Sequence, residues 1–406
     1  MPNGEMRIVG KNTRVMYIIA AALVFVLGIF VRKQVIWYVS REWTLFFEEW
    51  IRRLSEDGFR ALADDFYDYA PMYMYLLFVP AQFGAKGILV MKMVNICFDF
   101  LLAVAGAAIV YVSKKSEFLT TLAFSVLWLA PTVISDSSMW GQCDGIYASF
   151  ILISLLFVMM DRSRLSCIAL GIAFAFKLQT VFIFPVVILL WLYKRIKTQH
   201  LLYVPLIYIL SIIPVWIAGR PLSELLGIYS FQKEEYSMRL SLKFPNIYYI
   251  IGETYNIDIY TTAGQFFAIA VLLVFMVAIV QKCMKTKLTP EFILLISYTS
   301  MLLVLYFMPE MHERYGYVAE AIGMLLVLFK WKRFWVPMVQ ILCTYVCYSY
   351  YYNFDQPKIL PYYVLSLFML GVLIYMVYET FSYEAPADAL VPCEKNDRDK
   401  ETVAAS

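Results

Sequence analysis

Asp136-Ser-Ser-Met-Trp-Gly-Gln-Cys-Asp144 sets two carboxylates and an amide between hydrophobic runs that otherwise read as built for lipid. A charge facing mid-membrane costs up to ~2.5–3.5 kcal/mol, so ionisable groups at that depth need partners or a task. Pro309-Glu-Met-His-Glu-Arg-Tyr315 ends another apolar run with an imidazole, two carboxylates and a guanidinium. Carboxylates can accept a proton, and cations fixed in a poorly hydrated cleft can stabilise a phosphate. The chemistry on offer is proton transfer beside a stabilised anion.

Other polar residues interrupt the apolar pattern. Glu42 follows Arg41 at the entrance to a stretch in which Trp43, Phe46, Phe47, Trp50, Ile51 and Leu54 recur at spacings of three and four, against Glu48, Glu49, Arg52, Arg53 and Glu56. That pattern predicts an amphipathic helix at the membrane interface, with Trp43 and Trp50 as interface anchors. Glu42 reads either as a solvated charge or as a base at a water-filled cleft. Lys177 and Gln179 interrupt a run ahead of Pro185, where Lys177 either snorkels to the interface or partners Asp144. Arg239 and Lys243 precede Pro245-Asn246 and are phosphate ligands, plain loop charges or anionic-lipid contacts. Arg314 pairs structurally with Glu310 or Glu313, or faces a phosphate together with His312. Lys92 and Asp99, seven residues apart, share a helix face two turns apart and read as structural.

Such residues need a scaffold, and composition supplies its class. With 62% hydrophobic residues and mean hydropathy +0.68, the chain exceeds the ~45–50% apolar content of soluble domains. Runs near the ~20 residues that cross ~30 Å of hydrocarbon begin around 14, 88, 117, 145, 165, 179, 201, 262, 291, 314, 334 and 360. The prediction is an all-α polytopic membrane protein with about twelve transmembrane helices, since lipid demands internally satisfied backbones and no barrel-type alternation is present. The stretch from 71 to 83, starting at Pro71 and containing Pro80, is too short to cross and is expected to be re-entrant on the outer side. The spanning domain is read as 14–380. Residues 1–13 and 381–406 are expected to be cytoplasmic tails, the second disordered, and no signal-peptide pattern is visible.

Orientation follows from Lys and Arg. Arg7, Lys11 and Arg14, then Lys114/Lys115, Arg162/Arg164, Lys194/Arg195/Lys197, Lys282/Lys285/Lys287 and Lys330/Lys332/Arg333 mark cytoplasmic loops. The segments 38–70, 136–144, 218–260, 308–315 and 352–359 then face outward. Arg32, Lys33, Arg41, Arg52, Arg53 and Arg60 break the rule locally. The 31 Tyr and 30 Phe read mostly as interface and core. A net charge of +3 in short loops implies no nucleic-acid partner. Seven cysteines without a CxxC pair and two histidines predict no disulfide framework and no zinc centre.

Ser40-Arg-Glu42-Trp-Thr-Leu-Phe-Phe-Glu-Glu-Trp50, Asp68-Tyr-Ala-Pro-Met-Tyr-Met-Tyr75, Trp140-Gly-Gln-Cys-Asp144, Lys177-Leu-Gln179, Pro245-Asn246 and His312-Glu-Arg-Tyr315 together resemble, over about residues 15 to 350, the GT-C superfamily of integral-membrane glycosyltransferases. Within it the pattern is most similar to bacterial proteins related to the GPI mannosyltransferase that adds the second mannose, and more distantly to the dolichyl-phosphate-glucose glucosyltransferases. The resemblance implies a GT-C fold, a polyprenyl-phosphate sugar as donor, inverting transfer, and an active site on the extracytoplasmic face of the cell membrane. No nucleotide is bound in that superfamily, in keeping with a sequence lacking a Rossmann fingerprint and a P-loop. A separate cofactor is not implied, although a divalent metal stays compatible. Where the superfamily carries an aspartate in its first outer loop, the matching position is Glu42. Asp64, Asp65, Asp68, Asp136 and Asp144 are the competing carboxylates.

The sites expected on this basis are Glu42, Asp136 and Asp144 for catalysis, and His312, Arg314, Arg239 and Lys243 for the donor phosphate. Trp140, Gln142, Lys177, Gln179, Asn246, Glu313 and Tyr69 are expected to hold sugar or acceptor. The partners would be the lipid-linked donor and a lipid-linked glycan or cell-envelope polymer. Twelve spans with buried charges also describe a transporter or a flippase for lipid-linked sugars, which should show two matching halves with midplane charges. Here the polar motifs gather toward one face and no repeat is evident. A scaffold subunit would not need the His-Glu-Arg cluster.

Overall fold

Apolar runs bounded by Pro, Gly and charged residues become helices throughout the computed structural model, which describes residues 11–82, 87–235, 239–252, 258–352 and 360–386. Among these residues, pairing outside helices is confined to isolated bridges from Leu242 and Lys243 to His312. The chain is an all-α polytopic membrane protein. Six helices are long and apolar enough to cross a bilayer. They are α1 (Lys11–Val35), α4 (Gly87–Lys114), the joined pair α10–α11 (Thr198–Leu201 and Tyr203–Ala218), α14 (Asp258–Cys283), α15 (Pro290–Phe307) and α18 (Tyr362–Phe381). A seventh follows if α5 (Glu117–Trp128) and α6 (Pro131–Ile134), bent by 44°, form one span.

The predicted twelve crossings therefore become six or seven, and the reason is length. The runs beginning near 145, 165, 179 and 314 form α7 (Asp144–Met159), α8 (Ser163–Phe176), α9 (Phe184–Leu192) and α16 (Tyr317–Phe329), of 16, 14, 9 and 13 residues. At 1.5 Å per residue these reach ~14–24 Å, short of ~30 Å. Lys177, with extended backbone, ends α8 before a 3-10 turn, Leu178–Ile183. The run beginning near 334 forms α17 (Trp335–Tyr352), whose 18 residues are long enough but do not make it one of the six. Short helices are tolerable because neighbours enclose them: α7 packs on α4 and α8, and α16 on α4, α7, α15 and α17. Helix α15 is buried along most of its length, whereas α1 and α14 expose most of theirs.

The remaining helices are α2 (Glu48–Glu56), α3 (Pro71–Ala81), α12 (Leu222–Glu235) and α13 (Tyr248–Ile251). Helix α3 has 11 residues, ~16 Å, too few to cross. The amphipathic face expected before it is present, but Trp50 is 2% exposed and packs edge-on against Phe47 and Tyr69. It is therefore a core residue and not an interface anchor. Of the predicted tails, residues 1–10 and 387–406 lie outside the described residues, as do 353–359 of the predicted outer loop; residues 11–13 belong to α1.

Buried charges tie the helices together. Arg32 donates to Asp99 at 2.9 Å and to the Trp128 carbonyl at 3.0 Å, its guanidinium 3.8 Å from the Trp128 ring centroid. Ser137 and Tyr317 also donate to Asp99. Arg32 is thus the partner of an acid inside the bundle, which explains why it broke the charge rule. Lys92 donates to the carbonyls of Ile36 and Tyr38 and so fixes the segment leaving α1.

Candidate active site

Pro131 cannot continue a helix from α5; the chain bends there, and α6 runs into a π-helical turn, Ser135–Trp140, that closes on Gly141 at φ +86°. A Cβ at Gly141 would come closest to the flexible end of Met91, at 2.4 Å, so it is the left-handed φ that calls for glycine. The Asn95 amide donates to the Gly141 carbonyl at 2.8 Å, and Asp144 then starts α7. On the facing segment, Ser40 donates to the Trp140 carbonyl at 2.9 Å and the Glu42 N–H donates to the Tyr351 hydroxyl at 3.1 Å. Leu242 and Phe244 donate to the Met311 carbonyl, pinning the segment 240–244 beside His312.

These anchors assemble one charged constellation. Gln142 donates to Glu42 Oε2, and Tyr69 donates to Gln142 Oε1 at 2.9 Å. Arg314 lies between two acids, Nη1 at 3.8 Å from Glu42 Oε1 and Nε at 3.6 Å from Asp144 Oδ2. Lys177 Nζ donates to the other Asp144 oxygen at 2.6 Å, which favours partnership over snorkelling. Arg314 also stands 5.5 Å from the Trp140 ring centroid, within cation–π range. The alternative pairing of Arg314 with Glu310 or Glu313 is replaced by Glu42 and Asp144 as its closest acids.

Beside this constellation opens a cavity of about 300 Å³, at the lower end of the ~300–1,000 Å³ typical of small-molecule sites. Glu42, Tyr69, Lys177, Gln179, His312 and Arg314 line it, against an apolar side that includes Phe46, Phe47, Trp50 and Phe182. Burial pushes the Glu42 carboxyl up, Arg314 pulls it back, Glu313 pushes it up again, and the result stays above the usual range. Burial lowers the His312 imidazole, against the pull of Glu313; near neutral pH it is mainly uncharged. Burial would raise Glu313, but its hydrogen bond with His312 and the nearby charges of Lys243 and Arg314 hold it below its ordinary value. Burial works against the Arg314 charge, yet Glu42 and the other surrounding acidic groups keep its pKa well above the ordinary one. Arg314 and Lys177 are both cations on the cleft wall, and Lys177 is held by Asp144.

The remaining expected residues sit elsewhere. Asp144 and Asp136 are fully buried and do not line the cavity; Asp144 is held by Lys177, so neither is presented as a base. Trp140, Gln142 and Glu313 stand behind the wall, and Trp140 stacks on Tyr351 at 4.0 Å. Asn246 is fully buried, its side-chain oxygen accepting from the Tyr248 N–H at 3.2 Å. That is an Asx-type turn into α13. Arg239 is exposed and lines no cavity at the cleft. Lys243 lines a second pocket. Asp64 and Asp65 pair with Arg53 and Arg220, whereas Asp68 lines the cavity. Sequence reasoning missed Gln265 of α14, also on the cavity wall; a lone amide in an apolar run was the available signal.

No protein-family model matches the chain, and no curated protein matches it in sequence.

Proposed function

We propose that the chain is an inverting glycosyltransferase of the GT-C kind, moving a hexose, mannose or glucose, from a polyprenyl phosphate to a lipid-linked glycan or cell-envelope polymer on the extracytoplasmic face. The observation that carries this reading is the pairing, on one cavity wall, of Glu42 with the buried Arg314 at 3.8 Å. A carboxylate held above its usual pKa is a better base than a solvated one, and a desolvated guanidinium suits the two oxygens of a phosphate. Both contacts of Arg314 with acids, 3.6 and 3.8 Å, exceed hydrogen-bond length, so its donors are not consumed by the protein.

In this mechanism Glu42 takes the proton of the acceptor hydroxyl as that oxygen bonds to the anomeric carbon. The bond from that carbon to the phosphate oxygen breaks on the opposite face, and the negative charge passes to the polyprenyl phosphate beside Arg314 and the neutral His312. Gln142 orients Glu42, while Lys177 neutralises Asp144 and leaves Arg314 a net attraction for an anion. Tyr69 and Gln179 are suited to sugar hydroxyls, and Phe46, Trp50 and Phe182 to the apolar faces of a sugar or a prenyl chain.

The test is to incubate the purified protein in lipid bilayers with a panel of polyprenyl-phosphate hexoses and a crude acceptor extract. Release of free polyprenyl phosphate from one donor is expected. A flippase would move the intact sugar-lipid across the bilayer and never cleave it, and that result would overturn the proposal.

A further inference from the structure

The first cavity does not hold all the positive charge at this end of the molecule. A second pocket of about 320 Å³ lies on the other side of the Glu42 segment, lined by Tyr38, Ser40, Arg41, Thr44, Lys243 and Tyr351, with Val39 and Tyr352 completing it. Among the described residues, its lining holds two cations, Arg41 and Lys243, and no carboxylate, although Glu313 lies close enough to feel the Lys243 charge. Three of its hydroxyls donate to backbone carbonyls: Tyr38 to Tyr352, Ser40 to Trp140 and Thr44 to Arg41. Tyr351 presents a ring 5.3 Å from Lys243 Nζ, and its hydroxyl holds the Glu42 N–H. The two pockets therefore share a wall, with the Glu42 side chain on one and its neighbour Arg41 on the other.

Lys243 reaches this position at a conformational cost. Its φ of +75° is a left-handed backbone that a residue with a Cβ rarely adopts, and flanking bonds from Leu242 and Phe244 to the Met311 carbonyl, both 3.1 Å, hold it there. Glycine would suit the backbone better; Lys115 and Lys194 also take positive φ, so the case for Lys243 rests on the pocket that it lines. Strain of this kind collects where a side chain serves a ligand.

We propose that this second pocket binds a phosphate- or pyrophosphate-bearing headgroup, with Arg41 and Lys243 as its anion contacts and the Tyr351 face as its platform. Calling that headgroup the acceptor's rests on the transferase reading: a base between two pockets would meet the donor on one side and the acceptor on the other. The anion chemistry itself rests only on the pocket.

The probes are farnesyl diphosphate and inorganic pyrophosphate, titrated by calorimetry against the full chain in neutral phosphatidylcholine nanodiscs. The wild type should bind; a tighter farnesyl diphosphate would identify a lipid headgroup as the source, and equal binding a free phosphate group. Lys243→Gly and Arg41→Gln should each weaken binding about 10-fold or more, the loss expected for a charged hydrogen bond. Because glycine suits the left-handed φ, Lys243→Gly should keep or raise the melting midpoint, so weaker binding in that variant cannot be put down to unfolding. No binding by the wild type, or unchanged binding in both variants, overturns the pocket. Binding that is lost in Lys243→Gly from a protein that releases no polyprenyl phosphate would keep the anion site and remove only its assignment to an acceptor.

Discussion

Two buried arginines at opposite ends of the bundle make different use of the same side chain. At the basic end, Arg333 is 2% exposed and fully paired: Nη1 meets Glu291 at 2.7 Å and Nε meets Glu379 at 2.9 Å, while Lys330 holds both oxygens of Glu379 at 2.9 Å. At the motif end, Arg314 faces Glu42 and Asp144 at 3.8 and 3.6 Å and opens onto a cavity. Arg333 spends its donors on protein, as a group that locks α15, α16 and α18 together should. Arg314 is surrounded by charge, yet its contacts with those acids are longer than hydrogen bonds. Burial, counter-charge and an adjoining pocket are common to both arginines; contact length is what separates them.

The sharpest way to break this contrast is at Glu42. Glu42→Gln keeps size and the hydrogen bond to Gln142 reachable but removes basicity, so turnover should fall by ~10² to 10⁴, the range for losing a general base, with donor binding retained. Steady-state kinetics beside a donor-binding titration checks it, and an undiminished rate would pass the role to Asp68. Next, Arg333→Ala leaves the half-buried Glu291 without this partner and the buried Glu379 with Lys330 alone, and should cost about 1.5–3 kcal/mol of stability. Denaturation in detergent should show that loss, while turnover per folded molecule stays at the wild-type value.

A smaller effect is expected at Gln142. Its amide favours the ionised Glu42, so Gln142→Leu should push that carboxyl further above its ordinary range. Because the base must be unprotonated, activity is lost as pH falls through the Glu42 pKa, and the acidic limb of the rate profile should move to higher pH. The maximal rate should fall about 10-fold, the scale of one charged hydrogen bond. Neither pole of the comparison is perturbed by labelling. Single cysteines at Arg41 or Glu310 should react with an impermeant reagent from outside intact cells, and one at Lys332 should not; the reverse pattern would turn the molecule over.

Much of this was legible in the sequence where charge interrupts apolar runs. The helical class follows from hydropathy, and the junction of Asp144 with Lys177 follows from two charges that cannot stand alone in an apolar setting. The number of crossings was not legible, because apolar runs counted as separate spans prove too short to cross: the stretch 165–192, interrupted by Lys177 and Gln179, yields α-helices of 14 and 9 residues. Arg32 looked like a loop charge because its partner, Asp99, is 67 residues away. Trp50 looked like an interface anchor because an amphipathic helix covered by protein has the same pattern as one lying on lipid. Asn246 shares a motif with the site but spends its side-chain oxygen on a local turn, which residue type alone cannot reveal.

The central claim is that the open arginine works on a leaving phosphate, and the release of free polyprenyl phosphate from a polyprenyl-phosphate hexose measures it most directly. With wild type and Arg314→Lys side by side in proteoliposomes, the wild type should release it. The lysine variant should bind donor yet release it at least ~10-fold more slowly, because one ammonium cannot replace the planar fork. No release by the wild type, or equal release by both, would contradict the account.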